Sequence, residues 1–335
     1  MDHPKSAILG LITFSYWVGM FFGFFFSPAI ANIWGRKKAI YIGTAIAFAG
    51  MAIQSAAPNK AAFIGARAVL GAGSAFWGTA APLLIGETSH PKYRGKFTAM
   101  YMAGFHVGAT IAAWACFGSR GYTNDWSWRI PSILQYLLPV VALPGFMLLP
   151  ESPRWLIAND RSEEARAMLI KWHAGGDESS QMVALELQEI QAHLDYEKRI
   201  ANNASYMEMI STPGNRKRTW ITISIGLSTN WVGVGIVSYY LAIILNNVGV
   251  TDTSTQLIIN ACINMWNILW SFFGALQVDM MGRRMLFLTS GGIMLVSFIL
   301  ITAISGAFAE TLKSPIGLAV IPFLFIFYGG YDIAL

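Results

Sequence analysis

The chain has 335 residues, of which 55% are apolar and only 12% are charged, and its formal net charge is +5. A soluble domain usually carries about twice that charged fraction, so the composition argues against a soluble protein. Two cysteines cannot build a disulfide framework. The sequence shows no metal-ligand cluster, phosphate loop or nucleophile–base pair, so we expect no cofactor, no bound metal and no enzyme activity.

Long apolar blocks dominate the chain, and each is long enough to cross a bilayer as a helix. The nine blocks are 8–30, 39–57, 61–85, 97–118, 131–149, 219–248, 255–278, 285–307 and 316–335. This pattern predicts an all-helical membrane protein rather than a barrel, whose strands would be shorter and alternating. We expect a helical bundle over 1–149, a cytoplasmic loop with short helices over 150–218, and a second bundle over 219–335.

The cations concentrate in alternate loops. Arg36, Lys37 and Lys38 fill the first loop, and the long loop 150–218 is rich in Lys and Arg. Because cytoplasmic loops carry the excess of cations, we expect Met1 outside and Leu335 inside. The net positive charge is therefore a sign of membrane topology, and we expect a lipid bilayer and no nucleic acid as partner.

One short loop motif occurs twice, each time between two apolar blocks. The first copy is Asn32–Lys37 and the second is Asp279–Arg284, and both place an amide or acid, then Gly and two cations, at a helix boundary. A repeat of this kind predicts two related halves. Such architecture is typical of secondary transporters.

Two titratable residues lie inside apolar blocks. Arg67 is in the block 61–85 and His106 is in the block 97–118. An intramembrane cation needs a partner or a route to water, so Arg67 is a candidate buried charge and His106 a candidate proton site. The alternatives are snorkelling of Arg67 to the membrane surface and a plain helix contact for His106.

The cytoplasmic loop has two helical patterns. Asp160 with Glu163 forms a capping box that predicts a helix starting there. After Gly175 and Gly176, apolar residues at helical spacing predict a second amphipathic helix. Its apolar stripe consists of Val183, Leu187, Ile190 and Leu194.

The block 219–248 is interrupted by glycines, which points to a binding site where a membrane helix bends or opens. Gly226, Gly233 and Gly235 are the interrupting residues. Aromatic faces can lie against the ring of a ligand while hydroxyl groups bond to it. The candidates here are Asn230, Trp231, Tyr239 and Tyr240, and the alternative is that the two tyrosines merely pack.

The block 255–278 carries a polar stripe on one helix face, because its polar and small residues are three or four positions apart. The stripe consists of Gln256, Asn260, Asn264, Asn267, Ser271 and Gly274. Amides both donate and accept, which suits neutral, hydroxyl-rich solutes. We therefore predict substrate contacts from Asn260, Asn264 and Asn267, with helix–helix hydrogen bonding as the alternative.

Several segments resemble the sugar porter branch of the major facilitator superfamily. They are SPAIANIWGRKKAI, ARAVLGAGSAFWGTAAPLLIGETSHPKYRGK, WSWRIPSILQ, PESPRWL and QVDMMGRRMLFL, which begin at residues 27, 66, 126, 150 and 277. The third of these and KWHAGGD look like the fungal lactose-permease-like and hexose-transporter-like group. The family has twelve spans in two bundles, so the alignment implies about nine spans here, with one absent before Met1 and two or more after Leu335.

The resemblance implies uptake of a mono- or disaccharide by alternating access with proton symport, in the plasma membrane. Asn267 matches the position of a substrate-binding Asn in the family, whereas Thr229, Gly235 and Met102 stand where many members have an amide. Charges at family motif positions imply a cytoplasmic gate between the bundles. They are Arg36, Lys37, Glu87, Arg94, Glu151, Arg154, Asp279, Arg283 and Arg284. A non-transporting sugar sensor and an inactive fragment remain as alternatives.

Overall fold

The computed structural model describes residues 6–201, 207–311 and 314–333, and all the regular structure in these ranges is helical. This confirms the predicted all-helical class. The chain divides into two compact units, unit 1 (Met1–Thr98 with Gly118–Lys198) and unit 2 (Ala99–Phe117 with Arg199–Leu335). The bundle boundaries expected at 149 and 219 stay a prediction.

Unit 1 contains the first three long helices, the shorter helices that follow α4 up to α9, and the beginning of α4, which continues into unit 2. A short 3-10 turn, Pro91–Tyr93, precedes α4. The helices are α1 (Ser6–Trp34), α2 (Arg36–Ser55), α3 (Lys60–Thr88), α4 (Arg94–Ser119), α5 (Trp126–Leu134), α6 (Leu137–Leu148), α7 (Pro153–Ala158), α8 (Ser162–His173) and α9 (Gln181–Ala201).

Unit 2 contains the central part of α4 and the remaining helices. They are α10 (Glu208–Ser211), α11 (Pro213–Trp231), α12 (Val234–Tyr239), α13 (Leu241–Asn247), α14 (Thr253–Met281), α15 (Arg283–Thr311), α16 (Ser314–Leu318) and α17 (Val320–Asp332). Its core lies between α13, α15 and α17, where Leu245, Leu324 and Phe327 are completely buried.

Within the described ranges, eight segments are long and apolar enough to cross a membrane. The one predicted block that is not among these eight is 39–57. It overlaps α2, a helix of 20 residues whose first three positions are Arg36, Lys37 and Lys38. These cations lower the apolarity of α2 below that of the other eight segments. Large apolar side chains such as Phe105 and Leu148 are exposed on the helix surfaces, as expected of a protein that contacts lipid.

Small residues allow the long helices of unit 1 to touch backbone to backbone. A Cβ atom added at Gly19 would lie 1.8 Å from the carbonyl oxygen of Ala68, and one added at Gly71 would lie 2.0 Å from that of Tyr16. Helices in membranes associate through such small-residue faces because lipid removes the hydrophobic drive between them. The glycine and alanine content of α1 and α3 thus explains their close packing.

The two copies of the repeated loop share a backbone feature. Gly35 has φ of 100° and Gly282 has φ of 75°, so both adopt conformations that disfavour any residue with a Cβ. Each glycine separates two helices, α1 from α2 and α14 from α15. The repeat in sequence is therefore also a repeat in local structure.

The predicted capping box at Asp160 is wrong. Asp160 has φ of 60°, and it ends α7 with a hydrogen bond from its amide to the carbonyl oxygen of Ile157. An N-cap needs an extended backbone, so Asp160 cannot cap the next helix, and α8 begins later, at Ser162. Arg161 instead donates two hydrogen bonds to Glu164, and this pairing lowers the pKa of the Glu164 carboxyl.

The second helix predicted in the segment 150–218 forms as expected, and it is α9. Val183 and Leu194 are buried, while Leu187 and Ile190 pack beside them. His173 at the end of α8 contacts Glu186 through Nδ1 at 2.8 Å, and its Nε2 lies 3.1 Å from the carbonyl oxygen of Thr88. This buried imidazole connects α8 and α9 to the end of α3.

Candidate functional site

The polar stripe of α14 faces the interior of unit 2 at its centre. Asn267 is 5% exposed and Ser271 is 9% exposed, while Asn260 and Asn264 are half-buried. The Asn264 amide donates to the backbone oxygen of Asn260 at 2.8 Å, so part of the stripe is satisfied within the helix. The predicted amide face therefore exists, and Asn267 is its most enclosed member.

Asn267 lies against an acidic side chain of α17. Hydrogen-bond geometry assigns the Asn267 amide nitrogen to the side where it donates to Asp332 Oδ2 at 3.1 Å and to the carbonyl oxygen of Ile263 at 2.9 Å. Both N–H groups of the Asn267 amide are then used within unit 2. The side chain most strongly predicted to bind substrate is thus held in one orientation by a carboxylate.

His106 of α4 contacts the same carboxylate. Its Nε2 lies 3.2 Å from Asp332 Oδ1, and the side chains are 15% and 1% exposed, respectively. Sequence analysis selected His106 and Asn267 but missed Asp332, which joins them. An acid within the apolar block 316–335 is itself a signal, since carboxylates in membrane helices are costly and usually functional.

Glycines allow α17 to come this close. A Cβ added at Gly330 would lie 2.6 Å from Ile293 Cγ2 of α15, and one added at Gly274 of α14 would lie 2.6 Å from the carbonyl oxygen of Ile333. The indole of Trp266 donates to the carbonyl oxygen of Phe325 at 2.8 Å and ties α14 to α17. These contacts bring the last turn of α17 to the polar stripe.

The glycine-interrupted block 219–248 is broken, as predicted. Helix α11 ends at Trp231, Gly233 follows with φ of 92°, and a second break at Tyr240 separates α12 from α13. Tyr240 and its neighbour Tyr239 are exposed on unit 2, and so is Trp231.

Asn230 is also exposed, and its amide donates to the carbonyl oxygen of Gly226 at 2.9 Å. One donor of this amide is therefore used within α11 rather than offered to a ligand. On α12, Ser238 contacts the hydroxyl of Tyr328 at 3.0 Å, which ties the broken segment to α17.

Arg67 belongs to unit 1 and is half-buried on α3. Its guanidinium carbon lies 5.6 Å from the centre of the Tyr16 ring on α1, a cation–π distance. This places the cation beside an aromatic face within the helix bundle of unit 1.

The predicted gate charges of the first half form contacts inside unit 1. Arg36 donates to both carboxylate oxygens of Glu87, at 2.9 and 3.1 Å, and these side chains are 11% and 16% exposed. Glu151 accepts the backbone amides of Arg36 and Lys37, so its carboxylate caps the N-terminus of α2. The Lys37 ammonium donates to the carbonyl oxygens of Met147 and Leu149 at the end of α6. These charges thus hold helix ends together.

The other gate charges are more dispersed. Arg154 pairs with Glu197 of α9, and Arg94 lines a cavity of about 350 Å³ together with Glu87 and Arg154. Arg284 is exposed at the start of α15. The side chains of Asp279 and Arg283 lie outside the described part of the structure, so the second-half charges of the gate stay a prediction.

Comparison with known proteins identifies the family. The sequence profile described as "Sugar (and other) transporter" matches residues 2–335. An MFS-type transporter of Aspergillus oryzae, oryC, is 30% identical over 99% of this chain and 62% of its own length. The high-affinity glucose transporter of Kluyveromyces lactis is 29% identical over 87% of this chain and 52% of its own. The chain therefore spans between about half and two thirds of these relatives.

A solved structure supports the same fold. The proton:xylose symporter XylE, bound to 6-bromo-6-deoxy-D-glucose, superimposes with a TM-score of 0.81 over 99% of this chain and 72% of that protein, at 19% identity. At this identity the likeness establishes the fold alone. The family match confirms the expectation of a multi-pass transporter-type protein rather than an enzyme. The chain belongs to the family of sugar and other transporters, the sugar porter branch of the major facilitator superfamily.

Proposed function

We propose that this chain belongs to a transporter that carries a neutral mono- or disaccharide across the plasma membrane by alternating access, with proton symport. The observation that carries the proposal is the amide face of α14, where buried Asn267 lies in line with half-buried Asn260 and Asn264. Amides bind hydroxyl groups in both directions without a net charge, which fits a sugar better than an ion.

The broken helix segment supports the same function. The breaks at Gly233 and Tyr240 leave aromatic side chains exposed on unit 2, namely Trp231, Tyr239 and Tyr240. Interrupted membrane helices form the binding sites of many secondary transporters, because their half-helix ends and unwound backbone groups can contact the substrate. We assign these aromatic residues, together with Asn230, to the sugar-contacting side of unit 2.

We assign the cytoplasmic charges to a gate. The Arg36–Glu87 pair and the Glu151 cap link the ends of α2 and α3 to the start of the cytoplasmic segment in unit 1. Lys37, Arg94 and the second-half charges Asp279, Arg283 and Arg284 belong to the same proposed network. An exposed pair contributes little alone, so such a gate depends on several charges acting together.

Uptake of radiolabelled sugars by proteoliposomes tests the proposal. The chain is reconstituted and offered D-glucose, D-xylose or lactose, with the outside acidic or at equal pH. We expect at least one sugar to accumulate above protein-free liposomes, and a protonophore to reduce the accumulation. Binding without uptake would instead favour a sensor. If none of the three sugars is bound or taken up, the proposal is refuted.

A further inference from the structure

The carboxylate of Asp332 is almost completely buried in an apolar helix, where carboxylates are rare. Its side chain is 1% exposed and lies on the last turn of α17, two residues after Gly330, which like Gly329 makes close contacts. A charged group in such a place is unfavourable unless it is paired or takes up a proton. Asp332 Oδ1 carries no hydrogen bond of good geometry in the described structure, although His106 Nε2 is only 3.2 Å away.

We propose that His106 and Asp332 form the proton-binding site of unit 2, and that Asn267 links the protonation of this pair to sugar binding. This rests on the proposed sugar transport and adds the residues that couple it to protons. The His106 side chain is 15% exposed and that of Asp332 is 1% exposed, so the imidazole is the more accessible member of the pair. A proton from water enters at His106 Nε2 and passes to Asp332 Oδ1, which leaves the imidazole neutral and the carboxyl protonated.

The link to the substrate runs through the Asn267 amide. While Asp332 is ionised, its Oδ2 accepts an N–H of Asn267 at 3.1 Å, and the other N–H donates to Ile263, so the amide has no N–H left for a ligand. With the proton on Oδ1, the carboxyl is neutral and its Oδ2 is a weaker acceptor than a carboxylate oxygen, so it holds that N–H less firmly. The hydrogen-bonding groups that Asn267 offers to a sugar hydroxyl then change. Proton binding and sugar binding must therefore affect each other equally.

The neighbouring helices contribute neutral groups to this pair. Helix α14 contributes Asn267, Trp266 and Trp270 near the end of α17, and α15 contributes Ile293 and Met294 beside Gly330. On α17 itself, Tyr328 and Tyr331 lie close enough to interact electrostatically with Asp332. The remaining charges of α14 and α15 within the described side chains lie at the helix ends. They are Asp252, Arg284 and Glu310.

Sugar affinity measured against pH tests the link. The chain in nanodiscs is titrated with D-glucose, D-xylose and lactose at pH values from about 5 to about 8. For a sugar that binds, we expect at least a fivefold change in Kd over this range, the lower end of a typical coupling. The Asp332→Asn variant should lose that change, and His106→Gln should shift its midpoint. Asp252→Asn, an exposed acid at the N-cap of α14, is the matched control and should behave as the wild type.

Infrared difference spectroscopy gives a second measurement that needs no sugar. A pH jump across the same range should protonate a buried carboxyl in the wild type, with a carbonyl band that disappears in Asp332→Asn and shifts in Asp332→Glu. If no sugar binds at any pH, the proposed function fails and this band still decides the proton site. If sugar binds with the same pH profile in wild type and Asp332→Asn, or if no such band appears, this inference is overturned while sugar transport stands.

Discussion

Gly35 is subject to two independent constraints at the start of α2. Its φ of 100° is strained for any residue with a Cβ, and an added Cβ would lie 2.4 Å from Glu151 Oε2. The same carboxylate accepts the backbone amides of Arg36 and Lys37. A larger residue at position 35 therefore removes the cap of α2 as well as straining the backbone.

We expect Gly35→Ala to destabilise the protein by about 1–3 kcal/mol, the usual cost of a strained backbone position. Gly65→Ala is the matched control, because a Cβ there meets nothing within 4 Å and alanine favours a helix. Thermal unfolding in detergent, followed by tryptophan fluorescence, should show a lower Tm for Gly35→Ala alone. Equal Tm values for both variants and the wild type would contradict this account of the loop.

Sequence patterns predict single polar residues of the candidate site but not the contacts between them. The 3.6-residue period placed Asn260, Asn264 and Asn267 on one face, because periodicity is a local property of a helix. The contact between His106 and Asp332 joins helices far apart in sequence, and no local pattern encodes it. The apolar residues around Asp332 in the block 316–335 predict a membrane span and give no sign of which residue contacts this acid.

Residues with positive φ decide where the helices of this chain break, and only some of these breaks can be predicted from sequence. The interrupted block 219–248 was predicted to break, and Gly233 with φ of 92° is where α11 gives way to α12. The expected cap at Asp160 failed because that residue ends the preceding helix α7, which the capping-box pattern alone does not reveal. A helix start is therefore hard to predict where another helix ends immediately before it.

The break at Gly233 should be essential to function and specific to that position. A Cβ at Gly233 would be strained and would lie 3.1 Å from Phe298 Cε2, whereas one at Gly235 meets nothing within 4 Å. We expect Gly233→Ala to slow sugar uptake about tenfold, equivalent to about 1.4 kcal/mol, with Gly235→Ala near the wild type. Initial uptake rates in proteoliposomes measure this. Uptake by Gly233→Ala at the wild-type rate would mean that the break has no part in transport.

At the scale of the whole molecule, composition and the repeated loop were enough to predict a helical membrane protein of two related halves. The positive φ at both Gly35 and Gly282 supports the repeat in structure. Eight rather than nine segments have the apolarity of a span, since α2 begins with three cations. The charges assigned to a gate were recognised by motif position. Motif positions do not show which charges pair inside unit 1, such as Arg36 with Glu87, because pairing depends on the three-dimensional packing of the helices.

Equilibrium sugar binding to Asn267→Ala tests whether the amide face of α14 binds the sugar. The probe is whichever of D-glucose, D-xylose and lactose binds the wild type most tightly, and Asn215→Ala, at the start of α11, is the control. Loss of a hydrogen bond to the ligand should raise Kd about tenfold in Asn267→Ala and leave the control unchanged. An unchanged Kd in a variant with the wild-type Tm would contradict the account.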